Sequence, residues 1–202
     1  MARMKRVPSL LLALCMLLPG CLQNDSGEES PYNGDEIEGD QLATMFSVES
    51  MDGELWYMEE QRGKVVVLAF IYTRCEDTCP LISASIKNVT AQLSVNESAN
   101  VTFVSITIDP EFDSPSVLQN WTADHGYDWV HLTGNPDTIN PILDIYDVDP
   151  IHYEDHSHEG YGISHPQPTF IIDAAGYKRV VWTDPELPSD LFLEDLRTVM
   201  AL

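Results

Sequence analysis

The feature that most constrains this fold is Val65 to Ile71 (VVVLAFI), seven apolar residues in a row. A strand with one wet face alternates apolar and polar residues, whereas an unbroken run of this length predicts a central strand covered on both faces. The covering elements can be read further along the chain. Ile82, Ile86, Val89 and Leu93 fall at helical spacing, and Val101 to Ile108 (VTFVSITI) is a second, β-branched strand. Ser114-Pro115 predicts a helix start, with Ser as cap, Pro at the first position and Val117, Leu118 and Trp121 as the buried stripe. A short helix is expected from Pro136 to Tyr146. Thr169 to Asp173 and Lys178 to Thr183 read as two strands around the tight turn Ala174-Ala175-Gly176. Ser189 is expected to cap a last helix that buries Phe192, Leu196, Val199 and Met200.

A β-α-β crossover followed by helix, hairpin and final helix predicts an α/β, thioredoxin-like fold, a central mixed sheet flanked by helices on both faces. At 202 residues the chain suits one domain with a buried core. That domain is expected over 45–202.

Residues 1–21 read as a secretory signal, with Arg3, Lys5 and Arg6 as a basic head and Val7 to Leu18 as a short apolar run. The segment ends in Leu17-Leu18-Pro19-Gly20-Cys21, which resembles a lipobox, in which the cysteine becomes a lipidated N-terminus. An uncleaved N-terminal anchor is the alternative. Either reading predicts a domain held at the extracytoplasmic face of the membrane. Residues 22–44 are rich in Gly, Ser, Asp and Glu and are expected to form a disordered acidic tether. The chain carries 33 acidic against 10 basic residues, a net charge of −23, which argues against nucleic acid as a partner. Five Asn-x-Ser/Thr sequons, at Asn24, Asn88, Asn96, Asn100 and Asn120, fit an exported surface.

The chemistry is expected at two cysteines. Cys15 and Cys21 belong to the leader, which leaves Cys75 and Cys79 directly after the central strand, where open α/β sheets place their sites. Asp77 or Thr78 can cap the following helix and Pro80 suits its first turn. Cys79 is therefore expected at a helix N-terminus, where free amides and the dipole lower a thiol's pKa. Two sulfurs so spaced can close a disulfide or grip one metal ion. C-x-x-x-C differs from the C-x-x-C of redox motifs. Thiolates favour Cu(I), Zn(II) or iron–sulfur clusters, but a closed zinc site or a cluster usually needs four ligands. Copper held by two cysteines and one imidazole is the better count.

Six histidines could supply that imidazole. His125 and His131 read as surface or packing residues. His152, His156 and His158 lie in an acidic stretch that reads as a solvated loop. His165 precedes the Thr169 strand in His165-Pro166-Gln167-Pro168-Thr169-Phe170. In a thioredoxin-type fold that loop packs against the cysteine turn, with Pro168 expected as a cis-proline.

From about Phe46 to the C-terminus the sequence resembles the Sco (SenC/PrrC) family of copper-binding proteins. The resemblance rests on Asp52-Gly53, Gly63-Lys64, Phe70-x-Tyr72-Thr73-x-Cys75-x-Asp77-x-Cys79-Pro80, Ile108-Asp109-Pro110-Glu111-x-Asp113-Ser114-Pro115, Trp129-x-x-Leu132-Thr133-Gly134, and His165 eleven residues before Gly176. It implies a copper metallochaperone for the dinuclear copper site of cytochrome c oxidase, or a protein that keeps that site's cysteines reduced. Carried over, Cys75, Cys79 and His165 would be copper ligands and Asp109 a supporting acidic residue. Glu76 stands where the family usually has proline. Pro168-Thr169-Phe170 looks more like membrane-anchored thiol-disulfide reductases, so a reductase acting on extracytoplasmic cysteines, with Cys75 and Cys79 as its redox pair, is the alternative. A peroxide-reducing enzyme using Thr73 and Arg74 beside the cysteine is a third reading.

Overall fold

The central strand forms where its composition demands. In the computed structural model, which describes residues 30–148, 151–155, 160–164, 167–184 and 186–202, Val65–Ile71 is a strand with no residue more than 3% exposed. Ten strands are described: β1 (Asp35–Glu36), β2 (Ser47–Ser50), β3 (Leu55–Tyr57), β4 (Val65–Ile71), β5 (Val101–Thr107), β6 (Val130–Thr133), β7 (Ile151–Asp155), β8 (Gly160–Ser164), β9 (Thr169–Ile172) and β10 (Lys178–Trp182). The helices are α1 (Thr78–Gln92), α2 (Val95–Ala99), α3 (Pro115–His125), α4 (Pro136–Ile145) and α5 (Ser189–Met200). Eight strands make one sheet in the order β1-β10-β9-β4-β5-β6-β2-β3, and β7 and β8 form a separate hairpin. β4–β5 and β5–β6 are parallel, while β9 runs antiparallel to β4, so the sheet is mixed as expected.

Alternation along β4 divides the core in two. Val66, Leu68 and Phe70 pack with Leu118 of α3 and Ile139 and Leu143 of α4. Val65, Val67 and Ala69 pack with Ile82, Ile86 and Val89 of α1 and with Phe192, Leu196 and Val199 of α5. Full burial of one aliphatic side chain contributes roughly 1.5–3 kcal/mol, so this strand is a main source of the fold's stability.

The ends of α3 follow local chemistry, whereas the start of α5 does not. Ser114 Oγ accepts from the Val117 amide at 3.4 Å with Pro115 behind it, and Gly126 ends α3 at φ 64°, a left-handed conformation suited to glycine. Ser189, however, is the first residue of α5 and not its cap. The Pro188 carbonyl already accepts from the Phe192 amide at 2.9 Å, so the helix begins one residue earlier than the hydroxyl pattern suggests.

The acidic segment before residue 45 does not behave as a tether over its described part. The amides of Asn33 and Gly34 donate to the buried Asp195 carboxylate at 2.7 and 2.9 Å, and Trp182 Nε1 donates to it at 3.0 Å. A Cβ on Gly34 would come within 2.5 Å of Trp182 Nε1, so only glycine permits this approach. β1 pairs with β10, and the Ala43 amide donates to the Gly176 carbonyl at 2.9 Å. Polar residues join the sheet here through their backbones, which composition does not register.

His131, in β6, is fully buried between the Trp121 and Trp129 rings. Its Nδ1 lies 2.9 Å from the Trp129 carbonyl, and its Nε2 has no hydrogen-bond partner among the described residues. Burial pushes its pKa down to about 4 from an ordinary 6.5. The unfolded chain therefore takes up a proton that the folded chain refuses, so stability is lost as pH falls from about 6.5 towards 4. We expect a loss of about 3 kcal/mol attributable to this residue. Urea unfolding of wild type and His131→Leu at pH 7 and pH 4.5 checks this. The wild type should lose more stability between the two pH values than the variant does.

Candidate metal centre

At the end of β4 the chain leaves the sheet through Tyr72, Thr73 and Arg74 to reach Cys75, and a second turn after β5 holds this loop in place. The Ile108 amide donates to the Ile71 carbonyl at 2.9 Å, joining the two strand ends. From the second turn the Asp113 carboxylate, fully buried, accepts from the Thr73 amide at 3.1 Å, from the Thr73 hydroxyl and from the Thr107 hydroxyl at 2.6 Å. The Thr133 hydroxyl donates to the Asp113 carbonyl at 2.5 Å, so the end of β6 is tied in as well. Burial raises the Asp113 pKa, opposed by the threonine hydrogen bonds. Arg74 pairs with the buried Asp109 at 2.7 Å, and its guanidinium lies 3.8 Å over the Phe112 ring. Asp109 thus supports the loop through the residue beside Cys75. The role of Asp113 is not visible in the sequence. Its visible trace was a short polar residue two places after Pro-Glu, which marks a turn but not its partners.

Both cysteines are free thiols, Cys75 half-buried and Cys79 fully buried. α1 begins at Thr78 with Asp77 as N-cap, but the Asp77 side chain makes no capping bond. The Cys75 sulfur accepts instead, from the Cys79 amide at 3.3 Å, and Thr78 Oγ1 lies 3.7 Å from it. Here the expected roles are reversed. The Cys79 thiol donates to Cys75, and with the amides of Cys79 and Asp77 this lowers the Cys75 pKa to about 5 against the opposing effect of burial. Cys79 is driven up by that same sulfur contact and by burial. The helix N-terminus stabilises a thiolate, but on the residue that faces it from outside, not on the one inside its first turn.

His125 places Nδ1 2.7 Å from the Trp121 carbonyl and stacks on Tyr127, so it and His131 are packing residues. His152 falls in β7, opposite Ile163. His156, His158 and His165 lie outside the described residues, as does the leader with Cys21. Gln167 and Pro168 are described, and no cis peptide bond occurs among the described residues, so the expected cis-proline is trans. The next residue, Thr169, is already paired with Ala69 and Trp182, and an extended trans entry, favoured by about 0.5–1 kcal/mol, meets that pairing. Among the described residues no group of three metal-ligating side chains comes together, and no helix is long and apolar enough to cross a membrane. Two adjacent sulfurs, one of them a stabilised thiolate, nonetheless form a soft donor pair that suits a copper ion.

Comparison with known proteins supplies the family. The SCO1/SenC family model matches residues 34–201. The chain belongs to the SCO1/SenC family. Among Sco relatives, an SCO2-like protein of Rickettsia prowazekii is 30% identical over 132 residues, covering 65% of this chain and 64% of the relative. A Bacillus subtilis SCO1 homologue is 33% identical over 92 residues, 44% of this chain and 47% of that protein. The matched stretch therefore spans less than two thirds of either relative. Among solved Sco structures, apo Sco1 of Thermus thermophilus superposes with a TM-score of 0.73 at 22% identity, covering 86% of this chain and 100% of that one. ScoI of Bradyrhizobium japonicum with copper bound gives 0.63 at 21% identity, covering 79% and 99%. At such identities the likeness concerns the fold, and the expected thioredoxin-like α/β architecture holds.

The reversed thiol roles have a direct readout. A brief pulse of iodoacetamide on reduced protein at pH 7 should label Cys75 and spare Cys79, as read by peptide mass spectrometry. The Cys75 labelling rate should stay flat from pH 8 to 6 and fall through about 5. Equal labelling of both cysteines would contradict the assignment.

Proposed function

We propose that this Sco-family protein carries copper on the extracytoplasmic side of the membrane and hands it to the copper-site subunit of cytochrome c oxidase. Cys75, Cys79 and His165 are the proposed ligands, with Cys21 or an uncleaved leader as the anchor. The observation that carries this reading is the sulfur pair, in which one thiolate is stabilised beside a buried thiol on a loop fixed by Asp113 and Arg74. The topology supports the third ligand. β9 enters antiparallel to β4 with Thr169 opposite Ala69, so the chain just before Thr169 approaches the sheet at its cysteine end. The relatives agree in kind. The Bradyrhizobium and yeast Sco proteins have structures with copper bound, and BsSco belongs to a family of cytochrome c oxidase assembly proteins. A shallow site with one half-buried sulfur suits an ion that must be passed on, because an incoming thiolate can reach Cys75 without unfolding the domain.

The same geometry favours a second reading, a thiol-disulfide reductase. An accessible thiolate beside a protonated, buried partner is the arrangement of an attacking and a resolving cysteine. In that role Cys75 attacks a client disulfide, the client releases one thiolate, and Cys79 displaces the second as its own proton leaves.

Titrating reduced full-length protein with Cu(I) separates the two. The carrier reading expects one copper per chain, lost in Cys75→Ala and weakened at least tenfold in His165→Ala. Binding that is unchanged in either variant removes it. The reductase reading expects a mixed disulfide trapped by Cys79→Ser and exchange that survives His165→Ala.

A further inference from the structure

Four of the five sequons fall on described residues, and their asparagines are all exposed. Five of the chain's eight asparagines stand in Asn-x-Ser/Thr, where about one would by chance, given 27 serines and threonines in 202 residues. The fold treats the four unequally. Asn88 lies in α1, whose Val89 is fully buried, and its sequon hydroxyl on Thr90 donates to the Lys87 carbonyl at 2.9 Å. Asn100 Nδ2 donates to the Asn96 carbonyl at 2.8 Å, and the Thr102 hydroxyl, in β5, donates to Gln61 Oε1 at 3.0 Å. Asn120 lies in α3, and its partner Thr122 is 4% exposed with the hydroxyl donating to the Gln119 carbonyl at 3.0 Å.

Asn96 differs in its sequon hydroxyl and in the element that carries it. Its side-chain amide makes no hydrogen bond among the described residues, and the Ser98 hydroxyl is exposed and makes none either. Both sit on α2, five residues long with no buried side chain. A capping box between Ser94 and Glu97 and the Glu97–Arg197 ion pair at 2.7 Å hold α2, but Ser94 and Arg197 are exposed. Opening so short a helix breaks surface contacts and exposes nothing apolar, so the segment can take the conformation a modifying enzyme requires. The Asn100 carbonyl accepts from the Val65 amide at 3.0 Å, which places α2 at the start of β4. Cys75 follows the other end of that strand, about 20 Å away along the sheet. Ser98 also borders a groove of about 360 Å³ floored by Leu93, Val101, Phe103 and Trp129.

We infer that Asn96 is a site of N-linked glycosylation on the folded, exported domain, and that its sugar covers the groove at the end of the sheet remote from the cysteines. This rests on the extracytoplasmic placement proposed above. The donor is a lipid-linked sugar phosphate. A bond forms between Asn96 Nδ2 and the sugar's anomeric carbon, the carbon–oxygen bond to the lipid phosphate breaks, and the phosphate leaves with the electron pair while the amide gives up one proton. Nothing is oxidised or reduced.

The test uses the full chain purified from the membranes of its own cells and mapped by tandem mass spectrometry. Sugar on the Asn96 peptide, absent in Asn96→Gln and in Ser98→Ala, with Asn88, Asn100 and Asn120 bare, is the expected result. A bare Asn96 overturns the inference, and so does sugar spread over all four sites, which would place transfer before folding. Cu(I) stoichiometry of the same sample should match that of unmodified Asn96→Gln. A sugar that lowers copper uptake overturns the claim that it lies clear of the cysteines. The copper titration of the cysteine variants stands apart from all of these outcomes.

Discussion

The cysteine loop depends on one buried carboxylate. Asp113 is fully enclosed, and a carboxylate there is tolerated only because three donors from Thr73 and Thr107 converge on it. Those donors come from the ends of β4 and β5, and its carbonyl gathers in β6 through Thr133. Removing the acid would leave three donors without an acceptor in a dry space, so the hydrogen bonding of the loop depends on it. The Arg74–Asp109 pair works alongside it, fixing the backbone next to Cys75 while Phe112 covers the guanidinium.

From that scaffold follows the division of labour between the sulfurs. A helix N-terminus presents its free amides outward, and the atom best placed to receive them precedes the helix. Cys75 is in that position, and Cys79, one residue inside the first turn, has its side chain directed into the core. The two thiols therefore differ strongly in acidity although they are four residues apart. That asymmetry serves an exchangeable copper ligand and an attacking thiolate equally well.

Much of this was legible in the sequence where it depended on local pattern. VVVLAFI announced β4 residue for residue, and Ser114-Pro115 announced α3, because burial on two faces and capping both leave their mark within a few positions. What stayed hidden depends on pairing at a distance. Asn33 and Asp195 are 162 residues apart, so an acidic, glycine-containing segment read as loose chain where it is in fact fastened. Asp113 appeared only as part of a motif, since nothing in its neighbours reveals that Thr73 needs it. The lowered thiol pKa expected at Cys79 falls on Cys75, because the helix effect acts on the sulfur that faces the amides and chain numbering does not reveal which one that is.

The fastening of Asn33 and Gly34 to Asp195 sets a leash length. With an anchor at Cys21, only the residues from 22 to 32 separate the lipid from the first fixed point of the domain. Whatever shape those eleven residues take, they span at most about 40 Å. So anchored, the first fixed point of the domain would stay within that distance of the bilayer. On the function proposed above, a recipient of copper from a domain so anchored would have to bring its site up to the membrane, and large soluble partners that cannot approach it would be excluded by reach alone.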